Sequence, residues 1–371
     1  MKIVCAPDSF KESILAPQAA EAMARGVELA GATADRCPIA DGGEGTMNVL
    51  LGARGGRRLH VRTIDPIGRT IEAEIGFLES PRLAIIEMAA ASGLGLLKLD
   101  ERRPLETTSF GTGQLIAIAS REVDHVLLAA GGTATVDGGC GILQALGARC
   151  LDSIGQPIED PINGGTLTRL ASIELPLGYP TIDIAADVVV PLLGQHGAAH
   201  MFGPQKGADE QTVEQLEANL LHLADILDPD GTKRQIQGGG AAGGAGFGLH
   251  AALDARIQSG IEYVLEAVRF NERIQDADML IVGEGCMDTQ TLLGKACGVT
   301  ANHAARHGIN SFAICGKLGN GWQAALAENG GPFQKILSLT DQFGEDRALH
   351  ETAECLQEAA KFLITAGQSQ L

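Results

Sequence analysis

The chain opens with an apolar run and then alternates predicted strands with predicted helices. Lys2–Ala6 predicts a buried strand, and a helix is expected over Pro17–Leu29, with Gly31 as its stop. A short strand ending near Ile39 leads into a glycine-rich turn, after which GTMNVLLGA (45–53) is expected to be helical. Two strand–loop–helix units in succession are typical of an α/β domain.

The pattern changes to a period of two between about His60 and Met88. This stretch is broken by the turn signals DPIG and ESP, so it predicts an antiparallel ribbon. Alternation then resumes with strands in DHVLLAA, TIDIAAD, DMLIVGEG, SFAICG and KILSLTD, and helices from GGCGILQALGA and over Asp209–Leu227, Lys295–Arg306 and Arg347–Ala366. We predict two α/β domains, a discontinuous Rossmann- or flavodoxin-like one (1–60 plus 255–371) and an inserted one (61–254) that contains the ribbon.

Charge and cysteine content exclude several classes of protein. The 46 acidic residues outnumber the 28 basic ones, which argues against nucleic acid as a partner. The chain shows no signal peptide, and no apolar run approaches the roughly 18 residues of a membrane span. The eight cysteines form no C-x-x-C pair and are expected to be free thiols, so a cytoplasmic protein is predicted.

Four glycine-rich segments recur along the chain, and three of them follow a predicted strand and precede a predicted helix. In α/β sheets that position is the carboxyl edge, where ligands bind. Carboxylates among glycines fit a phosphate bound together with Mg²⁺, although Asp-Gly and Gly-Glu also build ordinary turns and helix caps. The segments are ADGGEGT (40–46), GGTATVDGG (131–139), GAAGGAG (240–246) and VGEGCMD (282–288).

Four lysines, Lys11, Lys206, Lys295 and Lys317, are flanked by glycine or turn residues. Such lysines serve well as point charges for phosphate or carboxylate, although each could equally be a solvated loop residue. The chain lacks a P-loop, a complete dinucleotide loop, the protein-kinase motifs, a G-x-S-x-G elbow and H-E-x-x-H. The residues therefore indicate an α/β enzyme that acts on an anionic or phosphorylated small molecule with Mg²⁺.

The motifs taken together resemble the bacterial glycerate kinase family that phosphorylates the 2-hydroxyl. The resemblance implies transfer of the γ-phosphoryl group of ATP to D-glycerate, with Mg²⁺, in a cleft between two α/β domains. A homodimer is compatible with it, but the sequence identifies no interface. The matching segments run in order over nearly the whole chain: APDSFKES, ADGGEGT, EMAAASGL, TSFGTGQLI, GGTATVDGGCGILQALGA, FGPQKGA, GAAGGAGFG, SGIEYV, VGEGCMDTQTLLGKA and CGKL.

The site residues are hypotheses, because the motifs do not label roles. We expect Lys11 and Asp187 to be catalytic, although Asp187 could instead cap a helix. The substrate-binding candidates are Asp8, Ser9, Asp41, Glu44 and Lys206. The phosphate- and nucleotide-binding candidates are Gly131, Gly132, Thr133, Gly283, Gly285 and Lys295. The metal-binding candidates are Asp137, Glu284 and Asp288.

Four positions depart from the usual family pattern. Val136, Val189 and Val190 stand where polar residues are usual, and Cys286 replaces a basic residue. These changes remove hydrogen-bonding groups, although exchanging paired polar groups for apolar packing can be nearly neutral. A kinase for a different small hydroxy acid, or a metabolite-binding sensor with weak turnover, therefore remains an alternative.

Overall fold

The strands form two larger sheets and a short two-stranded ribbon. The computed structural model describes residues 1–11, 13–175 and 177–368, with side chains as far as residue 365. The strands are β1 (Lys2–Pro7), β2 (Thr33–Arg36), β3 (Arg57–Ile64), β4 (Thr70–Glu79), β5 (Arg82–Glu87), β6 (His125–Ala129), β7 (Arg149–Leu151), β8 (Ser172–Glu174), β9 (Thr181–Ala185), β10 (Arg256–Gln258), β11 (Met279–Met287), β12 (Ser311–Leu318) and β13 (Phe333–Ser338).

The helices connect these strands, and most of them are short. They are α1 (Ala16–Leu29), α2 (Thr46–Arg54), α3 (Ala89–Ser92), α4 (Phe110–Ala119), α5 (Cys140–Ala145), α6 (Ala198–Phe202), α7 (Glu210–Leu227), α8 (Ala245–Leu253), α9 (Gly260–Ala267), α10 (Phe270–Ile274), α11 (Ala296–Arg306), α12 (Leu339–Phe343), α13 (Glu345–His350) and α14 (Thr352–Gln368). None of the helices in the described residues is both long and apolar enough to cross a membrane.

The first compact unit, unit 1, comprises residues 1–41, 48–54 and 261–371. Its sheet has the order β13-β12-β11-β1-β2, and every neighbouring pair is parallel. Ile3, Val4, Cys5 and Ala6 are consecutive and all fully buried. A parallel sheet is covered on both faces, so the apolar run at the start of the sequence becomes a central strand rather than an alternating one.

The second compact unit, unit 2, comprises residues 42–47 and 55–260. Its sheet has the order β10-β9-β6-β5-β4-β3, with β3, β4 and β5 antiparallel and β5, β6, β9 and β10 parallel. The DPIG turn forms because the buried Asp65 carboxylate accepts the amides of Ile67 and Arg69, at 3.0 and 2.9 Å. The predicted antiparallel ribbon is therefore present.

Many glycines of unit 2 lie where one backbone passes directly against another. A Cβ on Gly243 would lie 1.9 Å from Thr135 O, and a Cβ on Gly248 would lie 1.8 Å from Gly138 O. Both distances are impossible, so these positions must be glycine. The segment 240–246 thus packs against 131–139 and leads into helix α8.

The α/β fold class is confirmed, and two predicted elements need correction. The strand predicted in KILSLTD ends at Ser338, because the Ser338 hydroxyl accepts the amide of Asp341 and begins α12. The single helix predicted over Arg347–Ala366 is in fact two helices, α13 and α14. They are separated because Glu351 leaves the helical conformation and the Thr352 hydroxyl donates to the carbonyl of Ala348. The domain boundaries near residues 60 and 255 stay a prediction.

Helices α1 and α14 pack together within unit 1, and Gly26 makes their closest approach possible. A Cβ on Gly26 would lie 2.2 Å from Gln357 O, a main-chain atom that cannot rotate away. We expect Gly26→Ala to lower the free energy of unfolding by about 1–3 kcal/mol, measured by chemical denaturation. Gly52→Ala is the matched control, since a Cβ on Gly52 in α2 meets nothing within 4 Å. Equal stability of the two variants would contradict this packing.

Candidate active site

In unit 1 most of the candidate residues lie within the carboxyl-terminal part of β11 or just after the ends of β1 and β11. The two strands pair in parallel with Pro7 opposite Gly283, and the Asp8 amide donates to Gly283 O at 2.8 Å. Asp8 therefore lies beside Glu284 on the neighbouring strand. The Ser9 amide donates to Asp8 Oδ1 at 2.6 Å, which holds the carboxylate close to its own backbone.

Three carboxyl groups, those of Asp8, Asp41 and Glu284, are close enough to influence one another. Burial raises the pKa of Asp8 well above its ordinary range, and the charges of Asp41 and Glu284 raise it further. Burial likewise raises the pKa of Glu284 to about 7, although its Oε1 accepts the Thr291 hydroxyl at 2.7 Å. A cluster of this kind releases free energy when it takes up a proton or a cation.

Lysines supply the opposing charge at the same edge. The Lys11 ammonium lowers the pKa of Asp8, and the Lys295 ammonium lowers that of Glu284, each against the stronger effect of burial. Lys295 Nζ also lies 3.8 Å from Asp288 Oδ1. Strand register places the exposed Lys317 opposite Cys286. Unit 1 thus brings together acidic and basic candidates that are distant in sequence.

Two other candidates in unit 1 also have clear structural roles. Asp288 Oδ1 accepts the Gln290 amide at 2.8 Å and so caps the short turn after β11. Gly283 is buried, and a Cβ there would lie 2.9 Å from the main-chain oxygen of Ile314, so packing against β12 favours glycine at this position. Gly285 lies beside the backbone of Lys11, with a Cβ position 3.4 Å from its nitrogen. Their predicted roles toward ligand stay predictions.

In unit 2 the segment Gly42–Met47 lies against the carboxyl ends of three parallel strands. A Cβ on Gly42 would lie 3.2 Å from Ala185, the last residue of β9, and one on Gly131, just after β6, would lie 2.7 Å from Gly43 Cα. At the end of β5, Glu87 Oε1 accepts the amides of Gly45 and Met47 at 3.0 and 2.8 Å. Among the residues of this segment, Glu44 is exposed to solvent.

Lys206 is buried beneath the segment 131–139. Its Nζ donates to Thr135 O at 2.7 Å and to the Thr133 hydroxyl at 3.2 Å, and the residue is only 3% exposed. Burial lowers the pKa of Lys206 to about 7, with Asp137 acting in the opposite direction. These contacts favour an action through Thr133 over direct contact with a ligand. Gly132, by contrast, is exposed.

The Asp137 carboxylate is fully buried and already accepts hydrogen bonds from its own unit. Its Oδ2 accepts the Ser109 amide and hydroxyl, both at 2.7 Å, and the Gly141 amide at 3.3 Å, while Oδ1 accepts the Gly139 amide at 3.0 Å. Asp137 belongs to unit 2, whereas Glu284 and Asp288 belong to unit 1. This bonding favours a structural role for Asp137 over the predicted metal binding.

Asp187 lies two residues beyond β9 and is half-buried. The Ser259 hydroxyl donates to Asp187 Oδ1 at 2.7 Å, so the carboxylate is oriented by the residue just before α9. Within residues 1–11, 13–175 and 177–368, no group of three or more His, Cys, Asp or Glu side chains is arranged to hold a metal ion.

Sequence reasoning missed several residues that hold the candidates in place, namely Glu87, Ser109, Ser259 and Thr291. Glu87 carried a usable signal, because it directly follows the apolar run LAII of a strand that is expected to be buried. A carboxylate there needs hydrogen-bond donors. The three hydroxyl residues carried no such signal.

An α/β fold with carboxylates and lysines at the carboxyl ends of parallel strands is typical of enzymes that act on phosphorylated small molecules. The model of the glycerate kinase family matches residues 3–367. A glycerate kinase of Halalkalibacterium halodurans is 43% identical over 97% of this chain and 96% of its own length. The glycerate 2-kinase of Escherichia coli is 40% identical over 86% of each chain. The crystal structure of a Salmonella typhimurium LT2 protein assigned as glycerate kinase 2 is 38% identical and covers both chains completely, with a TM-score of 0.82. The chain belongs to the glycerate kinase family.

The four hydrogen bonds that the Asp137 carboxylate accepts predict that removing it lowers the stability of the fold. In Asp137→Ala four hydrogen-bond donations lose their acceptor inside the protein, so we expect the free energy of unfolding to fall by roughly 3 kcal/mol or more. Denaturant unfolding measures the change, and Asp230→Ala, at an exposed position of unit 2, is the control. A variant with wild-type stability would speak for a role in ligand or metal binding.

The burial of Lys206 predicts a stability that depends on pH. Its pKa is about 7 in the folded chain against an ordinary 10.5, so between these values the unfolded chain binds more protons. The free energy of unfolding should then rise with pH. Lys206 contributes at most about 1.4 kcal/mol per pH unit to this rise. Unfolding at pH 7, 8 and 9 should show this slope reduced in Lys206→Met and retained in Lys98→Met. A difference between wild type and Lys206→Met that is constant with pH would refute the assignment.

Proposed function

We propose that this chain transfers the γ-phosphoryl group of ATP to the 2-hydroxyl of D-glycerate, giving 2-phosphoglycerate and ADP. The observation that carries the proposal is the sheet edge of unit 1, where Asp8, Asp41 and Glu284 lie near the ammonium groups of Lys11 and Lys295. Membership of the glycerate kinase family supports the choice of substrate, and the relative named glycerate 2-kinase supports the position of transfer.

Phosphoryl transfer needs positioning and charge neutralisation more than covalent help from the protein. Lys11 is exposed and close to Asp8, so it suits the carboxylate of glycerate or the transferred group. Lys295, at the start of α11, suits a nucleotide phosphate, because a helix N-terminus also attracts anions. The segments 131–133 and 42–47 stay proposed contributors to substrate and phosphate binding.

A carboxyl group must accept the proton of the substrate hydroxyl. Asp187 is the candidate from the sequence, and its orientation by Ser259 is compatible with that role. Asp8 is the second candidate, because its raised pKa brings it closer to the working pH, where a general base is most effective. The pH–rate profiles of variants at Asp187 and at Asp8 distinguish the two candidates, because only loss of the general base removes its titration from the profile.

The donor chemistry of the edge fits Mg²⁺, which prefers carboxylate oxygens and keeps a share of its ligands for phosphate and water. Glu284 and Asp288 are the residues we propose to hold it, and the repulsion among the neighbouring carboxyls is what a divalent ion would offset. When bound, Mg²⁺ neutralises charge on the β- and γ-phosphate oxygens.

A kinase for another small hydroxy acid is the second candidate function, because Val189, which stands where the family usually has a polar residue, is exposed to solvent. Val189 is 77% exposed two residues beyond Asp187, whereas Val136 is fully buried in a hydrophobic core. The Val136 exchange therefore concerns packing, and Val189 is the position at which a less polar substrate would be recognised. A panel of 2-hydroxy acids in one ATP assay tests this alternative.

The primary test is ADP release that requires D-glycerate, ATP and Mg²⁺, with an enolase-coupled readout to identify 2-phosphoglycerate. Lys11→Ala should lower kcat/KM about a hundredfold or more, since it removes a charge opposed to the reacting anions. Its Tm should stay within about 2 °C of wild type, as expected for an exposed residue. Lys361→Ala, at an exposed lysine of unit 1, is the control and should keep full activity.

No ADP release above an ATP-only blank, from folded protein, would overturn the proposed function. Release with other hydroxy acids but not with glycerate would favour the second candidate. Tight nucleotide binding without turnover on any of these acids would favour a sensor.

A further inference from the structure

Glu87 is a buried carboxyl group for which the proposed chemistry has no use. It ends β5 and is 8% exposed. Its Oε1 accepts hydrogen bonds from the backbone amides of Gly45 and Met47, which lie about 40 positions earlier in the chain. Burial raises its pKa to about 7, against the stabilising effect of those two hydrogen bonds. Burying a carboxyl group costs free energy, and the two hydrogen bonds from backbone amides offset part of that cost here.

The two amides belong to the start of α2 and the turn before it. Gly45 precedes the helix and Met47 is its second residue, so their N–H groups have no partner within the helix. A capping side chain usually comes from the residue just before the helix, but here the acceptor comes from another strand. Glu87 thereby fixes the end of the segment Gly42–Met47.

The other end of the segment is fixed by close backbone contact. Gly42 lies against Gly260, where a Cβ would be 2.7 Å from its Cα, and Gly43 lies against Gly131. Between these fixed ends stands the exposed Glu44, close enough for its charge to raise the pKa of Glu87. Glu44 is also the residue of this segment proposed to contact substrate.

We propose that Glu87 is a positioning residue, whose acceptor oxygen holds the amides of Gly45 and Met47 and so sets where Glu44 and its segment stand toward the substrate. The effect on substrate rests on the proposed function. The hydrogen bonds by which Glu87 fixes the segment do not depend on it. Glu87 acts through the segment and does not touch the reacting atoms.

The test compares three substitutions of Glu87 with two controls. Glu87→Gln keeps an acceptor oxygen at the same reach, Glu87→Met keeps the volume but no acceptor, and Glu87→Asp draws the carboxyl back by one methylene. Val126→Ala, at a fully buried residue of β6, controls for general loss of stability in unit 2. Glu79→Gln, at the exposed end of β4, controls for loss of charge.

Hydrogen–deuterium exchange of peptides covering residues 42–50 gives a readout that does not depend on turnover. We expect exchange there to speed up roughly tenfold or more in Glu87→Met, and to stay near wild type in Glu87→Gln and Val126→Ala. The kcat/KM for glycerate should fall about tenfold to a hundredfold in Glu87→Met and recover to within about threefold in Glu87→Gln.

Unchanged exchange over 42–50 in Glu87→Met would overturn the inference, and so would a loss of kcat/KM no larger than that of Val126→Ala. If Glu87→Met does not fold, Glu87→Asp is judged by the same two criteria. A wild-type chain that phosphorylates no glycerate refutes the proposed function instead. The exchange measurement then still decides whether Glu87 holds the segment.

Discussion

The candidate site of unit 1 depends on one pairing of strands, that of β1 with β11. The two strands are far apart in sequence, and the contact between Lys2 and Asp278 that flanks them joins residues 276 apart. Parallel pairing fixes the register, and the register alone puts Asp8 beside Glu284. Without it, Glu284 would not be close enough to raise the pKa of Asp8, and Lys11 and Lys295 would not meet acidic groups at the same end of the sheet.

The positions of the strands and their carboxyl ends could be predicted from the sequence, because apolar runs and glycine punctuation are local signals. Gly31 ends α1 with a positive φ, as expected for a helix stop. The antiparallel ribbon likewise follows from a period of two. Where such rules failed, a single hydroxyl decided the outcome, as Ser338 and Thr352 did by redirecting a backbone bond.

The roles of single residues were harder to predict, because a side chain's chemistry depends on partners that are distant in sequence. The sequence predicts metal binding by Asp137 and substrate binding by Lys206, and it gives no sign that Ser109 donates hydrogen bonds to Asp137 or that Lys206 donates one to Thr135 O. Glycine content is ambiguous in the same way. It indicated room for a ligand, whereas several glycines of unit 2 make room for another stretch of backbone.

The distance between β1 and β11 along the chain also sets the order in which the ribosome can complete the two units. Residues 55–260 of unit 2 leave the ribosome before β11 is made, and β1 leaves it earlier still. At about 5–20 residues per second, the edge of β1 that pairs with β11 keeps its backbone N–H and C=O groups unpaired for on the order of tens of seconds. Early pairing with β2 covers only the other edge. The sheet that carries the acidic cluster is thus completed only after residues 55–260 have been made, and β1 is exposed to mispairing in the meantime.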